Sequence, residues 1–206
     1  MGLLESLRMT ITRITFVRHA ATSATRRAAF PLDESIDEKG MRAAQQLARQ
    51  LGHVDAAWSG SAMCARETAR ALGIAPAIAD ELDEWDFGTW RGHTMASIQK
   101  ADPTSVAAWM QDADAAPHGG ESLVHLISRV GRWLDARSGD GHRAVAITHS
   151  AVIRAALVYA LLAPPASLWR LDVAPLSRTV LHSDSGRWTV RAVNVAPADL
   201  PAADAS

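Results

Sequence analysis

The run Ile14-Thr15-Phe16-Val17 ends abruptly in Arg18-His19. This junction constrains the fold more than any other stretch of the chain. A β-branched and aromatic run of this kind reads as the end of a buried strand. In an open α/β sheet, ligands bind just past the carboxyl ends of the strands, so Arg18 and His19 point at such a place. An imidazole held there can act as a nucleophile, and the guanidinium beside it can bind a phosphoryl group through bidentate hydrogen bonds. On the dipeptide alone, a His19 that merely closes a strand beside a solvated Arg18 is an equal reading, because short motifs recur by chance.

The rest of the chain repeats the pattern of strand, polar end and helix. Residues 11–17 form the first strand and 20–37 an irregular, exposed segment. Residues 38–51 form a helix with Met41, Ala44, Leu47, Ala48 and Leu51 on one face and Gly52 as its stop. A short strand at 54–58 leads through Ser59-Gly60-Ser61 to a helix at 62–72, and 75–79 reads as a further short strand. The stretch 82–92 has no clear period and mixes aromatics, carboxylates and glycines, which suits a structured loop with a function. Helical pieces fall within 94–112 and break near Pro103. A strong helix follows Ser122 to about Arg137, with Leu123, Leu126, Ile127, Val130, Trp133 and Leu134 on its apolar face. Residues 144–148 form a buried strand ending in His149, and 152–162 a helix ended by Pro164-Pro165. Strands are expected near 168–174, 177–183 and 187–195, with Ser183-Asp184-Ser185-Gly186 as the last turn.

This alternation predicts an α/β fold. The expected form is a three-layer sandwich with a mostly parallel central sheet flanked by helices, and antiparallel strands at the C-terminal end. Right-handed crossovers put the strand carboxyl ends on one edge. That edge receives Arg18 and His19, then Ser59 and Ser61, then His149, so three separate segments deliver polar groups to one rim.

With 206 residues, the chain is expected to form a single domain spanning 1–206, with 1–9 and 197–206 as frayed tails. A formal net charge of -1 argues against nucleic acid or an anionic membrane as partner. The single cysteine, Cys64, permits no intrachain disulfide. No apolar run is long enough to span a bilayer, and Met1–Met9 lacks the apolar centre of a secretory signal. Met-Gly-Leu-Leu-Glu-Ser fits a loose myristoylation pattern, but no polybasic second anchor follows. It is read as an ordinary leader, and a cytoplasmic location is expected.

Four motifs, in order over about residues 11–160, resemble those of the histidine phosphatase superfamily, also called phosphoglycerate mutase-like. Arg18-His19-Ala20-Ala21-Thr22 resembles its Arg-His-Gly-x-Thr signature, with Ala20 for glycine. Leu82-Asp83-Glu84, with Phe87-Gly88 and Trp90-Arg91-Gly92, resembles the Glu loop of the phosphatase branch. Gly119-Gly120-Glu121-Ser122 resembles the start of a family helix. Ile147-Thr148-His149-Ser150 with Val152-Ile153-Arg154 resembles the second-histidine strand and helix.

The resemblance implies catalysis by His19, Glu84, His149 and Arg18 without a cofactor or metal. His19 would attack phosphorus, and Arg18 and His149 would spread positive charge over the phosphoryl oxygens. Glu84 would protonate the leaving oxygen and then activate water, while Thr22 would donate a hydrogen bond to the phosphate. The other histidines have no matched role, although His118, just before Gly119, is a candidate for lining the pocket. Trp85 and Trp90 are read as packing residues that can also face substrate. Two departures stand out. Cys64 takes the place of an arginine that contacts phosphate in the family's Arg-Ala-x-x-Thr-Ala run, and Thr25 stands where an asparagine is frequent. Arg66, Arg26 or Arg27 would then supply the missing cation, with Arg66 two residues on and turned nearly to the opposite helix side.

The function expected from this resemblance is a metal-independent phosphomonoesterase. It would act on a small phosphorylated metabolite through a phosphohistidine intermediate. One alternative is a degenerate member that binds a phosphorylated ligand without efficient turnover, with Cys64 as its main support. Another is a phosphoglycerate mutase, disfavoured because the segment 93–118 is short and contains no arginine. A phosphohistidine-protein phosphatase is less well suited than a capped small-molecule pocket. The sequence leaves the substrate and the oligomeric state open.

Overall fold

The structure, a computed structural model, describes residues 11–184 and 186–197. The leader and the remaining expected tail residues lie outside this range, as does Ser185 of the expected last turn. In chain order the elements are β1 (Thr12–Arg18), α1 (Ser23–Arg27), α2 (Glu38–Ala48), β2 (Ala56–Ser59), α3 (Met63–Ala71) and β3 (Ala77–Ile78). They continue with α4 (Met95–Ala101), α5 (Pro103–Gln111), α6 (Leu123–Asp135), β4 (Arg143–Thr148), α7 (Ser150–Ala160), β5 (Arg178–Asp184) and β6 (Arg187–Val195).

The six strands form one sheet in the order β3-β2-β4-β1-β5-β6. β3, β2, β4 and β1 run parallel, while β5 and β6 are antiparallel additions. The α/β architecture expected from the alternation is therefore present. The strand period of two splits the core. Ile14 and Phe16 of β1 join Ala144 and Ala146 of β4 in one apolar cluster with α6 and α7. Val17, Val145 and Ile147 face the other way, onto α2 and α3. Leu126, Val130 and Leu134 on α6 are wholly buried, and each such side chain contributes about 1.5–3 kcal/mol of transfer free energy.

Local chemistry sets the helix starts. Asp37 accepts from Gly40 N–H to cap α2, and Ser122 accepts from His125 N–H to cap α6. Asp102 caps α5 with Pro103 in its first turn, where the missing N–H costs nothing. That arrangement explains the break expected near Pro103.

Besides shifts of two or three residues at helix ends, two local readings differ from the structure. Within the segment read as irregular, Ser23–Arg27 forms a single helical turn capped by Thr22. Residues 168–174, expected as a strand, begin in a 3-10 helix over Pro165–Arg170 and continue without joining the sheet. β1 already pairs with β4 and β5, so no ladder position beside it is left. The segment braces the ends of β1 and β6 instead: the Val173 carbonyl accepts from Arg18 Nη1, and Ala174 N–H donates to Asn194 Oδ1.

The loop 82–92 is built into the main core. Trp85, Phe87 and Trp90 pack with Phe30, Trp109 and His118 at ring-centroid separations of 4.6–6.3 Å. These aromatics serve as packing, in agreement with the sequence reading. Gly88 has φ +45°, and a Cβ there would meet the His118 carbonyl. Only glycine permits that approach of two loops.

Candidate active site

β1 and β4 lie side by side with Arg18 opposite Thr148, so both strands release their next residue at one edge. His19 N–H donates to the Thr148 carbonyl at 2.8 Å and extends the ladder by one step. The rings of His19 and His149 meet edge-on with centroids 4.9 Å apart. On the far side of β4, Gly60 N–H donates to the Ile147 carbonyl, which places the start of α3 against the same edge.

His19 is buried, and its Nδ1 lies 2.7 Å from the Ala20 carbonyl. A carbonyl only accepts, so Nδ1 carries the proton and Nε2 keeps its lone pair. Burial, then the neighbouring His149 and Arg18, push its pKa down to about 3. The ring is accordingly neutral at neutral pH. Thr68 steadies this turn by accepting from Ala20 N–H and donating to the Cys64 carbonyl.

Glu84 and His149 form a close pair, with Glu84 Oε2 3.2 Å from His149 Nδ1. Burial alone would raise the Glu84 pKa. The charge of His149 at this distance, with the Trp85 N–H on Oε1, outweighs it and holds the carboxyl down at about 2. The loop carrying Glu84 is anchored at several points. Thr148 Oγ1 donates to the Leu82 carbonyl, and Ser61 donates through its N–H and hydroxyl to Asp83. Arg129 on α6 donates to the carbonyls of Glu81 and Asp83 and clamps the Glu121 carboxylate with two further bonds. Trp85 Nε1 donates to the Glu121 carbonyl. Glu121, in the Gly-Glu-Ser motif, thus fixes the loop rather than reaching the cavity.

A cavity of 220 Å³ opens at this edge, lined by Arg18, His19, Thr22, Cys64, Glu84 and Arg154 among others. Arg18 Nη1 donates to the Val173 carbonyl at 2.6 Å, which aims the guanidinium across the strand end. Thr22 is buried and lines the cavity while its hydroxyl oxygen caps α1. Cys64 is buried on the first turn of α3, and burial followed by the Glu84 charge pushes its thiol up to about 12. A second cavity of 410 Å³ shares Cys64, Glu84 and His149 and continues past Trp85, Asp33, Asp83, Asp86 and Arg91. Trp85 thus touches the site, whereas Trp90 and His118 line neither cavity. His118 is buried and accepts from Gly120 N–H.

The cations expected to replace the family arginine are not in the cavity. Arg26 is half exposed and paired with Asp37 at 2.6 Å. Arg27 and Arg66 are exposed, and none of the three lines the cavity. Arg154 does line it. Glu84 and Asp172 are its acidic neighbours, and burial lowers its pKa from the ordinary value. An arginine stays charged through such a shift. The sequence places Arg154 in the second-histidine motif without assigning it a role, and α7 starts two residues earlier than the expected 152. The helix begins at Ser150 with His149 as its N-cap. Ser150, Ala151 and Arg154 then fall on one face, toward the cavity.

A mixed α/β sheet whose strand ends bring two histidines, an arginine and a carboxylate loop to one edge is the class of architecture that these residues build. The sequence model of the family described as histidine phosphatase superfamily (branch 1) matches residues 14–196. A Mycobacterium tuberculosis protein described as bifunctional is 35% identical over 201 residues, 91% of this chain and 55% of the relative. The chain therefore spans about half the length of that relative. The glucosyl-3-phosphoglycerate phosphatase of Mycolicibacterium vanbaalenii is 30% identical over 184 residues, covering 78% of this chain and 79% of its own. Among solved structures, a mycobacterial glucosyl-3-phosphoglycerate phosphatase complexed with VO3 superposes with a TM-score of 0.79 at 28% identity. It covers 89% of this chain and 98% of that one. The chain belongs to the histidine phosphatase superfamily, branch 1. Among the described residues, no helix is long and apolar enough to cross a membrane.

Proposed function

We propose that the chain is a phosphomonoesterase that hydrolyses a small phosphorylated metabolite through a phosphohistidine on His19. The observation that carries this reading is the state of His19. It is a buried neutral imidazole with its Nδ1 proton committed to Ala20, facing a cavity walled by Arg18, Glu84 and Arg154, with the His149 ring edge-on beside it. His19 Nε2 attacks phosphorus in line and forms the N–P bond as the ester P–O bond breaks. Arg18, Arg154 and His149 stabilise the charge on the equatorial oxygens. This positive charge lets the reaction proceed without a metal ion. Glu84 starts ionised in the free site. A phosphoryl dianion set beside it raises its pKa by like-charge repulsion, so the carboxyl enters protonated and gives its proton to the leaving oxygen. Water then attacks the phosphohistidine and passes a proton back to Glu84, and phosphate leaves.

The second cavity takes the leaving group. Its wall carries Asp33, Asp83 and Asp86 against a single arginine, Arg91, which favours a hydroxyl-rich leaving group over a polyanionic one. The mycobacterial and related phosphatases named above support a small sugar-acid or similar phosphate as the substrate class. The mutase and the non-catalytic binder are weaker readings, because the nucleophile, acid and cation set lies around one cavity.

Two measurements test the reading. Activity on p-nitrophenyl phosphate is expected to survive chelator and to be blocked by vanadate. Loss in chelator, with recovery on adding a divalent metal, would overturn the mechanism. Glu84→Gln is expected to lower kcat on alkyl phosphates by about 10²–10⁴-fold, and on p-nitrophenyl phosphate far less, since that leaving group needs no proton. Equal losses on the two substrates would remove Glu84 from the acid role.

A further inference from the structure

Cys64 does more than leave a gap where an arginine is absent. Its Sγ, one ring nitrogen of His19 and one of His149 all lie within 4.8 Å of one another, and all three side chains are buried. Both imidazoles have an oxygen close to Nδ1. His19 Nδ1 is held by the Ala20 carbonyl, and His149 Nδ1 faces the Glu84 carboxylate. Carbonyl–histidine and carboxylate–histidine pairs of this kind are the outer-shell partners that metal-binding histidines use to fix tautomer and ring orientation. Each ring is left with Nε2 as its ligand atom. His149 is only 2% exposed, and neither of its buried ring nitrogens has a partner that meets hydrogen-bond geometry among the described residues, Nδ1 having only the ion-pair approach of Glu84 at 3.2 Å.

One sulfur and two imidazole nitrogens suit Zn²⁺, whereas Mg²⁺ and Ca²⁺ require oxygen ligands. Tetrahedral ligands at the usual zinc bond lengths sit about 3.3–3.6 Å apart, so small side-chain rotations close the three atoms onto an ion. The adjoining 220 Å³ cavity leaves the fourth position open to water or to a phosphate oxygen.

We propose that His19, Cys64 and His149 form a Zn²⁺ site inside the phosphate pocket, and that zinc held there inhibits the enzyme. Coordination replaces the Cys64 thiol proton, which passes to solvent as the Zn–S bond forms. The same ion takes the His19 Nε2 lone pair, so attack on phosphorus is blocked while zinc is bound. An arginine at position 64 would abolish the site, because a guanidinium supplies no lone pair to replace the sulfur ligand. The binding claim is independent of the phosphatase reading, and only the inhibition rests on it.

The test uses the full chain after chelator treatment, with Co²⁺ as the spectroscopic probe and Zn²⁺ as competitor. One Co²⁺ per chain is expected, with a thiolate-to-cobalt charge-transfer band that a stoichiometric amount of Zn²⁺ removes. Cys64→Ser is expected to lose the band and weaken Zn²⁺ binding by at least about 100-fold. His149→Ala is expected to weaken it comparably, since removal of an outer-shell partner alone costs about 10–100-fold. His53→Ala, at an exposed histidine paired with Asp55, is expected to bind as the parent does. Circular dichroism confirms that each variant is folded. In parallel, Zn²⁺ but not Mg²⁺ is expected to inhibit p-nitrophenyl phosphate hydrolysis, with the inhibition constant shifted by a similar factor in Cys64→Ser relative to its own uninhibited rate. Absence of the band in the parent chain, or equal zinc affinity in Cys64→Ser and parent, would overturn the site. A chain that shows the band without turnover would retain the site and refute the phosphatase reading.

Discussion

Replacement of His19 by alanine is expected to abolish the phosphoenzyme and to lower kcat/KM for p-nitrophenyl phosphate by about 10⁴–10⁶-fold, the scale found when a covalent nucleophile or its obligate partner is removed. The parent chain, quenched during turnover of a labelled substrate, is expected to carry an acid-labile, alkali-stable phosphoryl group. The expectation follows from the paths open to the substrate. Arg18, His149 and Arg154 remain in the variant and can still hold phosphate, so binding survives. Direct attack by water would have to come from the space the imidazole leaves, where no base stands: His149 faces Glu84 across 3.2 Å, and Glu84 is placed for the leaving group. Phosphate or vanadate affinity that falls no more than about tenfold, beside the large loss in rate, separates loss of chemistry from loss of the pocket. A labelled intermediate that persists in His19→Ala would transfer the nucleophile to another residue and end the proposed mechanism.

The second large effect is expected at Arg154. Loss of one preorganised donor to transition-state charge typically costs ~2.7–4 kcal/mol, or about 10²–10³ in rate. Arg154→Ala is expected to show that loss in kcat/KM, with Arg154→Lys recovering part of it. Alanine at Arg26, Arg27 or Arg66 is expected to change the rate less than about threefold, since all three are exposed and outside the cavity. The choice of substrate decides the role. p-Nitrophenyl phosphate carries no anion besides its phosphate, so a loss on it assigns Arg154 to the phosphoryl group. A loss confined to substrates with a second carboxylate would place Arg154 on the leaving group. Cys64→Arg is a useful companion. With Arg154 in place, an added cation at position 64 is expected to give little gain. A large gain there, with Arg154→Ala neutral, would show a site short of charge and favour the non-catalytic binder.

The parts of this site legible in the sequence are those that depend on one strand at a time. Arg18-His19 and His149 were readable because each follows a short apolar run whose end must fall at the sheet edge. Their meeting follows from the pairing of β1 with β4. Glu84 was readable because carboxylates and aromatics in an aperiodic stretch are out of place as either core or ordinary surface. Arg154 was missed because its approach to the cavity depends on where α7 sits against the end of β1, which no local pattern around position 154 reports. Arg129 was invisible for another reason. Its bonds to Glu81 and Asp83 cross 48 and 46 residues of chain, and nothing near position 129 signals them. The segment 168–174 misled because alternating apolar residues record burial, whether the backbone runs in a sheet or as a brace.

The anchoring of the loop that carries Glu84 has a consequence for how such a site fails. Catalytic loops are commonly drawn from the least stable parts of a fold, where they open on their own before the domain melts. This one shares its aromatic side chains with the central core and is tied by hydrogen bonds to α6, β4 and the turn before α3. No separate opening of the acid loop is available without breaking into that core. Heat or denaturant is therefore expected to reach Glu84 only through cooperative unfolding, with loss of Glu84 from the site coinciding with loss of His19 rather than preceding it.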